Sequence, residues 1–118
     1  MERDSASRRT HNNLGFTYGK LGRMQEAARH FQLAGPPAQA INNMGVVYEA
    51  RGEHEMAYEY YTASCRQDPR LVPARANLER TCARLGRPLP ALPDVDGPLR
   101  EPEDPTAISL SLPPEVKP

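Results

Sequence analysis

The sequence predicts an all-α helix-turn-helix solenoid of about two and a half repeats, followed by a Pro-rich tail that does not fold alone. Three observations carry this. The chain matches itself at a shift of 30 residues, each match holds small and aromatic residues at three- and four-residue steps, and nine of thirteen prolines fall between Pro88 and Pro118. A length of 118 residues, with 38% apolar and 25% charged, suits one domain with one core.

Residues 1–9 read as a lead-in of charge and Ser. The first helix is expected over 10–21, where Leu14, Gly15 and Tyr18 share a face. Gly22 stops it, because glycine takes the left-handed conformation of a helix terminus without steric cost. Ala27, Phe31 and Ala34 place a second helix over 24–34, ended by Gly35, Pro36 and Pro37. The 30-residue shift carries Asn12, Asn13, Leu14, Gly15 and Tyr18 onto Asn42, Asn43, Met44, Gly45 and Tyr48. It also carries Gly22, Ala27, Phe31 and Ala34 onto Gly52, Ala57, Tyr61 and Ser64, so helices over 38–51 and 54–67 repeat the pair, with Asp68 and Pro69 ending the second. A further shift of 34 lays Asn43, Met44, Tyr48 and Gly52 on Asn77, Leu78, Cys82 and Gly86, giving a fifth helix over 71–86. The small residues let helix backbones approach, and the aromatic residues fill the wider gaps between pairs.

These residues resemble the tetratricopeptide repeat, whose helix-turn-helix unit runs Leu-Gly, Tyr, Gly, Ala, aromatic, Ala, Pro. Here it stands as Leu14, Gly15, Tyr18, Gly22, Ala27, Phe31 and Ala34, then as Met44, Gly45, Tyr48, Gly52, Ala57, Tyr61, Ser64 and Pro69. The third copy keeps Asn77, Leu78 and Gly86 but carries Glu79 at the small-residue position, which marks it as a capping helix. The resemblance divides the helical domain, 10–87, into repeats at about 8–37 and 38–71 and a cap at 71–86.

Beyond this domain, Pro88, Pro90, Pro93, Pro98, Pro102 and Pro105 interrupt every window long enough for a helix, so 88–118 is expected to be disordered. From Arg87 onward, Asp94, Asp96, Glu101, Glu103, Asp104 and Glu115 face Arg87, Arg100 and Lys117, a charge of minus three against plus three for the body. That contrast, with the apolar alternation Ile108, Leu110 and Leu112, predicts a tail able to dock in the groove of the repeats. Overall the formal charge is zero, so no basic field draws nucleic acid or an anionic membrane. No apolar run reaches the roughly 20 residues of a membrane span, and Met1 to Arg9 lacks the apolar stretch of a signal segment, so a cytoplasmic location is expected.

Catalysis needs convergent groups, and none are legible; no cofactor or metal is expected, and the chain reads as a non-enzyme. His11, His30 and His54 fall at three different repeat positions, which argues against a shared metal site. Cys65 and Cys82 are expected to sit at different heights along their helices, as buried apolar side chains rather than a disulfide.

The family resemblance implies that stacked first helices line a concave groove. Asn13, Asn43 and Asn77 hold one position in all three copies, where an Asn in such proteins often pairs with the backbone of an extended peptide. An amide offers donor and acceptor at fixed reach, though it equally suits capping or hydrating the groove. Asn12, Phe16, Gly19 and Lys20, then Asn42, Val46, Glu49 and Ala50, then Arg80 and Arg84 are expected to flank that ladder, giving a floor part apolar and part basic. A carboxylate clamp known in the family is not matched, because Asn12, Phe16 and Asn77 replace three of its members. The expected function is therefore non-catalytic binding of a protein or peptide segment in the groove, as an adaptor or assembly factor. Two and a half repeats are near the minimum for stability, so self-association that completes the solenoid is a second reading. Family usage and thirteen Arg against two Lys suggest a third, a bacterial envelope or pilus-assembly component.

Overall fold

The computed structural model describes residues 5–93, and these form five helices in chain order: α1 (Ser5–Lys20), α2 (Met24–Ala34), α3 (Pro37–Ala50), α4 (His54–Gln67) and α5 (Val72–Leu85). Consecutive helices pack as hairpins, and the first helices stack in the order α1, α3, α5. α1 begins five residues earlier than its apolar pattern indicated, taking in part of the supposed lead-in. Pro37 does not end the first repeat; it opens α3, and Pro73 lies at the start of α5. Both positions tolerate proline because a first-turn N–H has no partner within its helix.

The three turns after first helices are built alike. Gly22, Gly52 and Gly86 have φ of +80°, +81° and +69°. The next residue's N–H then reaches back to Tyr18, Tyr48 or Cys82, at 2.9, 2.9 and 3.0 Å, satisfying a carbonyl the helix end would leave open. The register read from the sequence thus holds in the backbone bonds.

Two core clusters follow the repeats. One joins Ala27 and Phe31 of α2 to Ala40, Met44 and Val47 of α3; the other joins Ala57, Tyr61 and Cys65 of α4 to Leu71, Ala74, Leu78 and Cys82. Close approach depends on the small residues. A Cβ added at Gly15 would lie 2.4 Å from the Phe31 ring, one at Gly45 2.5 Å from the Tyr61 ring, and one at Gly19 2.7 Å from Val47. Both cysteines are free and buried in the second cluster. Burial pushes the Cys65 thiol up to about 11 and raises that of Cys82.

The proline-rich segment makes contact where an unfolded tail was expected. Residues 87–93 are not helical, yet they run along α4: Arg87 bonds Glu55 at 2.7 Å and sits over the Tyr58 ring, Arg66 donates to the Ala91 carbonyl at 3.4 Å, and Leu92 packs against the core. Glu79, at the register position where Gly15 and Gly45 admit an aromatic ring, is exposed and pairs with Arg75 at 3.3 Å. The expectations for the rest of the tail, including Ile108, Leu110 and Leu112, lie outside the described residues.

Candidate functional site

The asparagines form a ladder, but they form it with one another. Asn43 Nδ2 donates to Asn12 Oδ1 at 3.2 Å, Asn42 Nδ2 to Asn43 Oδ1 at 3.4 Å, and Asn77 Nδ2 to Asn42 Oδ1 at 3.0 Å. The amides tie α3 to α1 and α5 to α3, each rung reaching one residue back from its register partner. All four are buried, Asn43 with 1% of its surface exposed and Asn77 with none. This corrects the expectation that Asn43 and Asn77 face an open groove: the neighbouring first helix covers them, and their donors and acceptors are already used. Asn13 is not brought to the ladder and is exposed, because no described helix lies over its side of α1.

At its α5 end the ladder passes into a charged cluster. Arg80 Nη2 donates to Asn77 Oδ1 at 2.8 Å and to Glu49 Oε1 at 2.8 Å, while Arg80 Nε meets Glu49 Oε2 at 3.1 Å. Tyr61 donates its hydroxyl to the same carboxylate at 2.6 Å. Glu49 is therefore a buried acceptor for three hydrogen bonds rather than a flank of the groove, and bidentate pairing compensates its lost hydration. Burial first, and then the Glu49 charge, push the Tyr61 phenol far above its ordinary range. Arg80 is half-buried, held from below by Glu49 and Asn77.

The remaining expected groove residues divide by exposure. Val46 is core, and Phe16 is half-buried, meeting Phe31 edge to face at 4.8 Å between centroids. Lys20, Ala50 and Arg84, which share one register position, are exposed. What the first-helix face offers is Lys20, Arg84, the outer side of Arg80 and an edge of Phe16.

Sequence reasoning missed two further features. His11 and His30, read as remote from each other, meet across α1 and α2 with Nδ1 atoms 3.0 Å apart, and Tyr18 stacks on His30. One ring lends an N–H and the other a lone pair, so the contact serves as a helix-helix bond. His54 does not join them, and among the described residues no three metal-ligating side chains converge. Their spacing gave no signal because antiparallel helices pair positions that share no register. The second feature is a cleft of about 520 Å³ beside α4, lined by Tyr58, Glu59, Thr62, Ala63, Arg66 and Gln67. It lies on the side bordered by residues 87–93, apart from the first-helix face.

Comparison with known proteins accords with this architecture. Two tetratricopeptide-repeat family models match, one over residues 9–34 and the other over residues 40–72, which together make half of the chain. No curated protein and no solved structure matches. Two matched repeats that fall on α1–α2 and on α3–α4, with the same glycine turn closing each first helix, make the chain a member of the tetratricopeptide-repeat family.

Proposed function

We propose that the chain is a non-catalytic adaptor that binds a protein segment across its stacked first helices. Tetratricopeptide repeats in general mediate protein–protein interactions. Among the described residues no helix is long and apolar enough to cross a membrane. The observation that carries the finer reading is the cationic row at one edge of that face. Arg84 is exposed beside Arg80, whose guanidinium is fixed by Glu49 and Asn77 before any ligand arrives, and Lys20 holds the matching place on α1. A fixed cation loses less side-chain freedom on binding than a mobile one. The row suits a segment bearing carboxylates, its apolar side chains meeting Phe16.

An array of acidic and neutral 15-residue peptides, probed with the whole chain, tests this. Acidic members should bind, and the double variant K20E/R84E should weaken them at least tenfold while leaving the melting temperature within about 2 °C, as exposed substitutions do. Binding that is unchanged in the double variant, or confined to neutral peptides, would overturn the assignment.

A further inference from the structure

The second repeat shows what packing alone asks of the contact between a first helix and its partner. The 30-residue shift lays His11 on Ile41 and His30 on Tyr60, and in the second repeat Tyr60 stacks on Tyr48 with 5.2 Å between centroids. In the first repeat Tyr18 stacks on His30 in the same way, at 5.4 Å and 11° between planes. An aliphatic and an aromatic side chain therefore suffice at these two places. The first repeat holds imidazoles in both, and their Nδ1 atoms stand 3.0 Å apart, with the rings stacked at 5.2 Å between centroids. Both rings are half-buried, and each keeps part of its surface open to solvent.

We propose that His11 and His30 form a two-histidine site for a divalent late transition metal, copper(II) or nickel(II), held between α1 and α2. At a metal–nitrogen distance of about 2.0–2.1 Å, donors 3.0 Å apart subtend roughly 90–100° at the ion. That is the cis angle of the tetragonal geometry favoured by copper(II) and nickel(II), whereas a tetrahedral ion needs its ligands about 3.3–3.4 Å apart. Imidazole suits both metals as a ligand. In the metal-free pair one Nδ1 carries the proton of the hydrogen bond and the other a lone pair. On binding, that proton leaves Nδ1 and Nε2 of the same ring takes one up, so both Nδ1 lone pairs meet the ion and neither ring changes charge. Tyr18, stacked on His30, fixes the plane of that ring in advance, which lowers the entropy lost on binding. Among the described residues no third ligating side chain converges. Two protein ligands give a modest affinity, with Kd about 1–200 µM, roughly half the binding energy of a four-ligand site. The site stands apart from the cationic row and does not depend on the proposed function.

Calorimetric titration of the whole chain with copper(II) in a weakly coordinating buffer, joined to thermal melting with nickel(II), gives the test. Copper should bind in the micromolar range, and about 1 mM nickel(II) should raise the melting temperature by at least about 4 °C, while magnesium leaves it unchanged. His11→Ile and His30→Tyr install the residues of the second repeat and should keep the helical circular dichroism. Each should weaken copper at least tenfold and abolish the nickel shift. Should a variant lose helicity, pulsed EPR of the copper-loaded parent decides, with two coordinated imidazoles expected and the same signal in His54→Gln. A signal from one imidazole or none, a melting temperature indifferent to nickel, or copper binding equal in the parent and both folded variants, an adventitious ion only, would overturn the proposal.

Discussion

Asparagine 43 shows how one side chain holds two repeats in register. Its amide donates to Asn12 and accepts from Asn42, at 3.2 and 3.4 Å, in a place that water does not reach. A reading that left it in an open groove would have Asn43→Ala spare the fold and weaken a ligand. Burial reverses that. The substitution removes the bond donated to Asn12 and the one accepted from Asn42, and breaking a buried polar contact of this kind costs on the order of 1–3 kcal/mol. Thermal melting followed by circular dichroism should therefore fall by at least about 4–8 °C. A melt within 1 °C of the parent would show that the amides re-pair or are solvated. The same logic explains why Glu49 is tolerated between helices, since its carboxylate meets Arg80 and Tyr61 before it could meet solvent.

Among the elements, the helix pairs owe their closeness to single glycines of two distinct kinds. Gly45 serves packing, for an added Cβ would lie 2.5 Å from the Tyr61 ring, and that ring is anchored by its hydroxyl on Glu49. Gly52 serves the turn; its φ is +81° and nothing stands within 4 Å of an added Cβ. Gly52→Ala should accordingly cost about 1–2 kcal/mol of backbone strain and leave the packing alone. Gly45→Ala must displace an aromatic ring and separate α3 from α4, costing about 2–4 kcal/mol, at the upper end of overpacking penalties. Urea denaturation of the two variants checks the order. Equal losses would mean that the Tyr61 ring swings aside freely. Residues 87–93 belong at this scale too. They hold to α4 and the adjoining core by an ion pair, a cation–π contact and one leucine.

Across the whole molecule, α4, α5 and Leu92 of the extended segment meet in a shared core. Cys65 and Cys82 sit in that core and report on it. Burial is the leading cause that raises both thiols, Cys65 to about 11, so the native chain carries very little thiolate at pH 8. Labelling by a disulfide reagent at pH 8 should be slow for both cysteines, faster toward pH 11 for Cys65, and immediate in denaturant. Because stacked repeats exchange stability only with their neighbours, opening of α5 should expose both thiols together. Separate labelling rates, with Cys82 leading by tenfold or more, would show that α5 frays away from α4.

The sequence by itself determined the helix pairs, their turns and their stacking order. Those rest on local rules: spacing that repeats every three or four residues, glycine at positive φ, and a fixed period of self-similarity. Only the tertiary structure decided what each polar side chain faces. Asn13 and Asn43 are the same residue at the same register position, yet one is exposed and the other buried, because burial depends on whether a neighbouring helix lies over the site. The ladder pairs Asn43 with Asn12 and not with Asn13, an offset of one residue that follows from how stacked helices interdigitate. The meeting of His11 with His30 and the seating of Leu92 on the core likewise arise between segments with no common period. Such contacts are set by three-dimensional proximity, which a one-dimensional period does not encode.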